Sequence, residues 1–263
     1  MAERTGSLQG RVAFVTGAAR AQGRSHAVRL AREGADIIAL DICARASDTL
    51  TYPPATPEDL AETAALAGKY GRQVLARQAD VRDHEQLRAV ADEALAAWGR
   101  IDVVVANAGI CSFEWGWQIP ESAWRATLDT NLTGVWNTVR ATVPAMIDAG
   151  RGGCVVITSA AAEVRHQPLV AHYAASTVGQ VGLMKVLATE LARYGIRVNT
   201  VNPLGVNTVM ATGAPIAMLQ PAVGDPPHGP WAEPDDVSDV VLYLASDEAR
   251  SVTGVQMPVQ VRG

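Results

Sequence analysis

The segment HYAASTVGQVGLMK, residues 172–185, sets the phenol of Tyr173 and the hydroxyl of Thr177 four residues apart, a spacing that puts both on one face of a helix. A phenol with a pKa near ~10 is about one part in a thousand ionised at neutral pH, so a tyrosine working as general acid or base gains most from a cation beside it. Thr177 stands where a lysine would make chemical sense and offers only a short neutral hydroxyl. A second group of residues points to a bound anion. In VAFVTGAARAQGRSHAVRL, Gly17 ends an apolar run and Gly23 opens a helical pattern, so backbone N–H groups at that helix terminus could face a pyrophosphate. Any tight strand-to-helix connection favours glycine, and the turn by itself therefore says little. Asp41 closes the next apolar run, roughly 20 residues past the turn, where a carboxylate accepts hydrogen bonds from ribose hydroxyls and repels a 2′-phosphate. Arg20 in the turn pulls the other way, because a guanidinium pairs with such a phosphate. A carboxylate beside a dianionic phosphate is the larger penalty, which favours NAD over NADP.

The elements that must hold these groups follow a regular alternation of short β-branched runs and longer helical patterns: VAFVTG (12–17), RSHAVRLAREG (24–34), ADIIALD (35–41), QVLARQAD (73–80) and HEQLRAVADEALAAWG (84–99). IDVVVANAG (101–109) precedes a long helical stretch over 121–148, GCVVITSA (153–160) precedes the helix of Tyr173, and IRVNTVNP (196–203) and QMPVQV (256–261) complete about seven strands. Most are apolar throughout, as expected where helices cover both faces of a parallel sheet. The expectation is an α/β fold: a doubly wound, mostly parallel, seven-stranded sheet in a single Rossmann-type domain over residues 1–263. Asp80 and Val81, and Asn107, Ala108 and Gly109, then fall at carboxyl ends of strands, the edge where such sheets bind ligands. As isolated residues they read as turn formers, and it is their common edge that counts.

Two stretches break the rhythm. ICARASDTLTYPPATPEDL (42–60) is a Pro/Thr-rich insertion after the second strand, and residues 203–230 form a Pro/Gly-punctuated excursion read as a substrate lid, with Met210 and Met218 as adaptable apolar wall. A net charge of −5 without a basic run argues against nucleic acid as a partner. Cys43, Cys111 and Cys154 form neither a CxxC pair nor a Cys/His cluster, which fits a reducing cytoplasm and no metal site. No segment approaches the ~20 apolar residues that span a bilayer, and the first residues lack a secretory stretch, so a soluble cytoplasmic protein is expected.

TGAARAQG (16–23), Asp80, NAG (107–109), Asn131 in DTNLTGVW, Tyr173 in YAAST and VNPLGVNTVM (201–210) together resemble the short-chain dehydrogenase/reductase family along essentially the whole chain. AQGRSHAVRLAREGADIIALDIC with the insertion YPPATPEDLAET is similar to its mycofactocin-associated, carveol-dehydrogenase-like branch. The resemblance implies a usually tetrameric protein that holds NAD tightly and oxidises secondary alcohols, often terpenoid or alicyclic. It further implies that a serine positions the substrate oxygen, the tyrosine exchanges its proton, a lysine four residues on lowers the tyrosine pKa and holds the nicotinamide ribose, and an asparagine, here Asn131, orders a proton-relay water.

Three positions depart from that pattern. Ala160 occupies the serine position, thirteen residues before Tyr173, and its neighbour Ser159 is expected to point to the opposite face of the strand. Thr177 occupies the lysine position, and Ala21 the position of the middle glycine. All three fall on the cofactor and the reacting oxygen. Three readings stay open: an NAD(H)-dependent oxidoreductase using Tyr173 and Asn131 with help from Ser159, Thr177, His172 or the substrate; a non-redox isomerase, lyase or cyclase with Tyr173 as acid/base; and a non-catalytic binding or scaffolding subunit. His172 and His166 read as surface or capping residues, and Glu163 and Arg165 as solvated loop charges. Trp115, Trp117, Trp124 and Trp136 read as core and subunit contacts, with Trp115 and Trp117 close enough to the NAG strand to line a pocket.

Overall fold

The structure is a computed structural model that describes residues 6–160, 168–212 and 231–260. Strand β1 (Val12–Thr16) leads into helix α1 (Ala21–Arg32), β2 (Asp36–Asp41) into α2 (Pro57–Gly68), and β3 (Val74–Gln78) into α3 (His84–Trp98). Strand β4 (Val103–Ala106) is followed by α4 (Glu121–Leu128) and α5 (Gly134–Ala149), β5 (Gly153–Thr158) by α6 (Ala171–Leu191), and β6 (Ile196–Pro203) by α7 (Val209–Thr212), α8 (Pro234–Ala245) and β7 (Gln256–Val259). All seven strands pair in parallel in the order β3-β2-β1-β4-β5-β6-β7, the doubly wound arrangement. The order reverses between β1 and β4, and a sheet of this kind opens its ligand crevice at the carboxyl edge of that junction.

Side-chain alternation sorts the strands' residues onto two faces. Ala13, Val15, Ile37, Ala39, Val103 and Val105 join one core with Leu30 of α1 and Val241 of α8. Val12, Phe14, Ile38, Leu40 and Val104 join the other with Leu87 of α3, Val139 of α5 and Met184 of α6. Burial of each large side chain contributes about 1.5–3 kcal/mol, so the strands' apolar content anchors the sheet on both faces at once. Helix ends follow local chemistry. Asp83 accepts from the amides of Glu85 and Gln86 at the start of α3, which stops at Gly99 with φ 68°. Thr56 and Asp59 form a reciprocal capping box on α2, with Pro57 in its first turn.

The helical stretch expected over 121–148 is not one regular helix: α4 and α5 are joined by a π-helical turn over Asp129–Thr133 that carries Asn131. The wider turn rotates that asparagine relative to the flanking helices and buries it. Of the tryptophans expected as core and subunit contacts, Trp117, Trp124 and Trp136 are exposed and so do not belong to the core. Trp115 and Trp117 stack on each other at 5.3 Å. Of the 203–230 excursion, residues 203–212 are described and Val206 bridges to Ala232; residues 213–230 lie outside the described residues, as do Glu163, Arg165 and His166. Among the described residues, no helix is long and apolar enough to cross a membrane, and no group of His, Cys, Asp and Glu side chains could hold a metal ion.

His26 on α1 is fully buried against α8, its Nδ1 paired with the Ser238 hydroxyl at 2.8 Å. Desolvation lowers its pKa to about 3, with Asp235 opposing only in part. The unfolded chain therefore binds a proton that the folded one refuses, and stability that is undiminished above about pH 6.5 falls as the pH drops toward 3. Each such proton is worth about 1.4 kcal/mol per pH unit. Urea melts between pH 7.5 and 5 are expected to show this decline, and His26→Gln to flatten it by one proton. An unchanged slope in the variant would reject the assignment.

Candidate active site

The floor of the crevice is a contact between the turn after β1 and the end of β4. Thr16 Oγ1 accepts from the amides of Asn107 and Ala108 at 3.0 and 3.1 Å, and Asn107 Nδ2 donates to the Thr16 carbonyl at 3.0 Å. The backbones come so close that a Cβ on Gly17, whose φ is 66°, would sit 2.8 Å from Ala108 Cα, and a Cβ on Gly23 would sit 1.9 Å from the Gly17 carbonyl oxygen. Both glycines are thus required by contact, and Gly17 also by its left-handed backbone. Ala21 occupies the left-handed region too, at φ 48°, where an L-residue with a side chain is strained. The first turn of α1 has no side-chain cap at Arg20, so its amides remain available to an anion.

Gly17, Arg20, Ala21, Gly23, Asp41, Asp80, Val81, Asn107, Ala108 and Gly109 all line this one crevice. Asp41 holds its own turn together, Oδ2 accepting from Ala19 N at 3.1 Å and Oδ1 from Cys43 N at 3.0 Å; each carboxylate oxygen keeps a further lone pair. Arg20 faces the insertion, donating to the Pro53 carbonyl at 2.7 Å with its guanidinium over the Tyr52 ring. Asp80 is gripped by Arg82, whose Nε and Nη2 reach both carboxylate oxygens. Sequence reasoning missed Gln22, Tyr52 and Thr130, which line the crevice as well. Gln22 Oε1 and Thr130 Oγ1 are buried polar atoms without a protein partner, as expected of groups that a bound polar ligand satisfies.

Asn131, Ser159, Tyr173 and Thr177 lie outside the crevice lining. Asn131 Oδ1 accepts from Ile110 N at 2.8 Å, its Nδ2 donates to Ile110 O at 2.9 Å and to Ser176 Oγ at 3.1 Å, and its backbone carbonyl accepts from Gln180 Nε2 at 2.6 Å. These bonds clamp the loop after β4 to α6, so Asn131 sets the position of the elements around Tyr173. Ser159 and Thr177, the expected helpers, are both engaged with backbone. Ser159 Oγ donates to the Thr177 carbonyl at 3.0 Å, and Thr177 Oγ1 shares its donor between the carbonyls of Tyr173 and Ala174 at 3.1 and 3.2 Å. Burial raises the pKa of Tyr173, and Cys111 and Tyr52 raise it further. His172 is not the surface or capping residue expected: it is fully buried, with Nε2 paired to Ser112 Oγ at 2.8 Å and desolvation lowering its pKa.

The fold and this crevice together define a nucleotide-binding α/β enzyme scaffold. A family model described as enoyl-(acyl carrier protein) reductase matches residues 17–261. The chain is 50% identical over 271 residues to an NAD-dependent oxidoreductase of Mycobacterium tuberculosis, covering 98% of each, and 41% identical over 268 residues to (-)-trans-carveol dehydrogenase of Rhodococcus erythropolis, covering 96% of each. Among solved structures it is similar to carveol dehydrogenase of Mycobacterium avium in complex with NAD, at 45% identity and a TM-score of 0.91, with 97% of this chain and 98% of that one covered. The chain belongs to the short-chain dehydrogenase/reductase family.

Relief of the strain at Ala21 is directly testable. A left-handed alanine costs about 1–2 kcal/mol, and glycine's greater freedom in the unfolded chain offsets about 0.5–1 kcal/mol of the gain, so Ala21→Gly is expected to stabilise the fold by up to about 1.5 kcal/mol. It should also tighten NAD(H) binding, since residue 21 lines the crevice. Urea denaturation and a dinucleotide titration check both; a less stable variant would contradict the strained backbone.

Proposed function

We propose that this protein is an NAD(H)-dependent oxidoreductase that interconverts a secondary alcohol and a ketone of a small, mostly apolar molecule, alicyclic or terpenoid-like. The observation that carries this reading is the glycine-tight junction of the β1 turn and the NAG turn, open at the carboxyl edge beside the Asp41 carboxylate. The donor set fits a dinucleotide. Uncapped α1 amides suit a pyrophosphate, Asp41 suits ribose hydroxyls and disfavours a 2′-phosphate, and Asp80 and Val81 lie where the adenine end would rest. The relatives named for NAD and for carveol support the cofactor and the substrate class. So does the apolar lining supplied by Leu50, Ile110, Val209 and Met210.

When bound, the nicotinamide would supply or receive hydride at its C4. Tyr173 gives its phenolic proton to the oxygen of a ketone, or takes the hydroxyl proton of an alcohol. A raised pKa keeps it protonated and suits the donor role better. Asn131 fixes the loop carrying Ile110 and Cys111 against α6. Ser159 and Thr177 contribute by holding the backbone of α6 and not by touching the reacting atoms. Residues 203–230 would close over the substrate, within a single Rossmann-type domain. Exposed Trp124 and Trp136, with Val178 and Val186 on α6, support a homotetramer through these helices, and the cysteine pattern supports the cytoplasm.

A second reading, non-redox acid/base chemistry at Tyr173, is favoured by one observation: among the described residues no cation lowers the phenol's pKa, and Thr177 spends its hydroxyl on the helix. The two separate in a paired assay that titrates NAD and NADH and then follows nicotinamide absorbance with cyclic alcohols and ketones. Binding with turnover is the expected result. Product formed without dinucleotide binding would favour the second reading, and a stable partner complex without turnover a scaffold. Ala160→Ser with Thr177→Lys is expected to raise the dehydrogenase rate, and an unchanged or lower rate would count against this account.

A further inference from the structure

A carbonyl oxygen that gains charge during reduction accepts two hydrogen bonds, and Tyr173 supplies one. Ala160 has no donor to add. A second phenol lines the crevice. Tyr52 comes from the insertion after β2, yet it is 7% exposed and lines the crevice with Ile110 and Met210. Its oxygen accepts from Cys111 N at 3.2 Å. A phenol both donates and accepts, so that bond fixes the oxygen and leaves its proton to give; no acceptor among the described residues takes it. The ring is braced from outside, with the Arg20 guanidinium 5.9 Å from its centroid and bonded to the next residue's carbonyl at 2.7 Å. Burial raises the Tyr52 pKa to about 12 against the opposing bond from the Cys111 amide, which makes it a donor and not a base. Its partner Cys111 adjoins Ser112, whose hydroxyl pairs with His172 Nε2 at 2.8 Å next to Tyr173, so the Tyr52 hydroxyl and Tyr173 both flank the contact of the loop after β4 with α6.

We propose that Tyr52 is a second hydrogen-bond donor to the reacting oxygen, filling from the insertion the role that Ala160 cannot fill from the strand. This rests on the oxidoreductase reading. In the reducing direction, hydride from the reduced nicotinamide forms the new C–H bond, the carbonyl π pair moves onto oxygen, and that oxygen takes the Tyr173 proton. Tyr52 keeps its own proton throughout and stabilises the charge as it builds. In oxidation the same bond holds the alcohol oxygen while Tyr173 removes its proton.

The test is Tyr52→Phe in the full chain, which keeps the ring and its packing and removes only the hydroxyl. With NADH and cyclohexanone, kcat should fall about 10²-fold, the scale of losing one oxyanion donor, while NADH affinity by fluorescence titration stays unchanged. Ala160→Ser in the Tyr52→Phe background should restore part of the rate by supplying a donor from the strand side. Difference infrared spectra give a readout independent of turnover: the carbonyl stretch of cyclohexanone bound beside NADH should lie at higher frequency in Tyr52→Phe than in the parent. Unchanged kcat and an unshifted stretch overturn the proposal, as does a loss of NADH affinity that accounts for the whole rate loss. If the parent binds NADH and cyclohexanone without turnover, the oxidoreductase reading fails and the infrared comparison still decides Tyr52. If the parent binds no ketone beside NADH, both fail.

Discussion

The site depends on the close approach of two backbones, the turn after β1 and the end of β4, held by Thr16 and Asn107 and admitted only by Gly17 and Gly23. The parallel pairing of β1 with β4 brings Ala13–Val15 level with Val103–Val105, so both connections leave the sheet on the same side of the switch point. Side chains at Gly17 or Gly23 would have to push main chain aside, and no rotamer change could relieve them. The uncapped start of α1, the Asp41 carboxylate and the NAG turn all take their positions from this contact. It carries no chemistry itself and decides where chemistry can happen.

Beyond that junction, the polar groups are used mainly to fasten protein to protein. Asn131 ties three segments together, and Ser176 accepts from it while donating to the Tyr173 carbonyl at 2.7 Å. Ser112 and His172 fasten the loop after β4 to the start of α6. A buried hydrogen bond to a neutral partner is worth about 0.5–1.5 kcal/mol net, but leaving one unmade costs about 1–3 kcal/mol. Such a network therefore holds the phenol's surroundings rigidly without any charge. Desolvation works against ionising Tyr173, and rigid neutral dipoles offset that less well than a cation would.

Much of the architecture was legible because it is written locally. The apolar runs of β1, β2, β4 and β5, the glycines of the turn, and Asp41, Asp80 and the NAG triplet at strand ends all follow from period and punctuation, and all reach one edge. The failures came where the outcome depends on residues distant in sequence. His172 reads as a capping residue until Ser112, sixty positions earlier, is placed against it. Tyr52 sits in a Pro/Thr-rich insertion whose composition suggests surface, and only its bond to the Cys111 amide, fifty-nine positions on, puts it in the crevice. The π-helical turn at Asp129–Thr133 leaves no mark in the hydrophobic period. Thr177 could have been read better, since a threonine within a helix commonly bonds the carbonyl one turn back.

Ala21, Ala160 and Thr177 share a physical sense. Ala21 lines the crevice, and each of the three carries a side chain that makes no polar demand on a ligand: two methyl groups and a hydroxyl satisfied by its own helix. None of the three disturbs the glycine contact or the apolar cores, so the crevice is preserved. Binding of a dinucleotide and catalysis with it are therefore separable properties here. The first rests on backbone amides and carboxylates that remain in place. On the proposed reading, the second rests on the donors that meet one oxygen. In a site withdrawn from water, a single added or missing donor weighs more than it would in solvent, because nothing else is present to replace it. On the proposed reading that weight falls on two phenols, Tyr173 after β5 and Tyr52 after β2, which the chain supplies from opposite sides of the switch point.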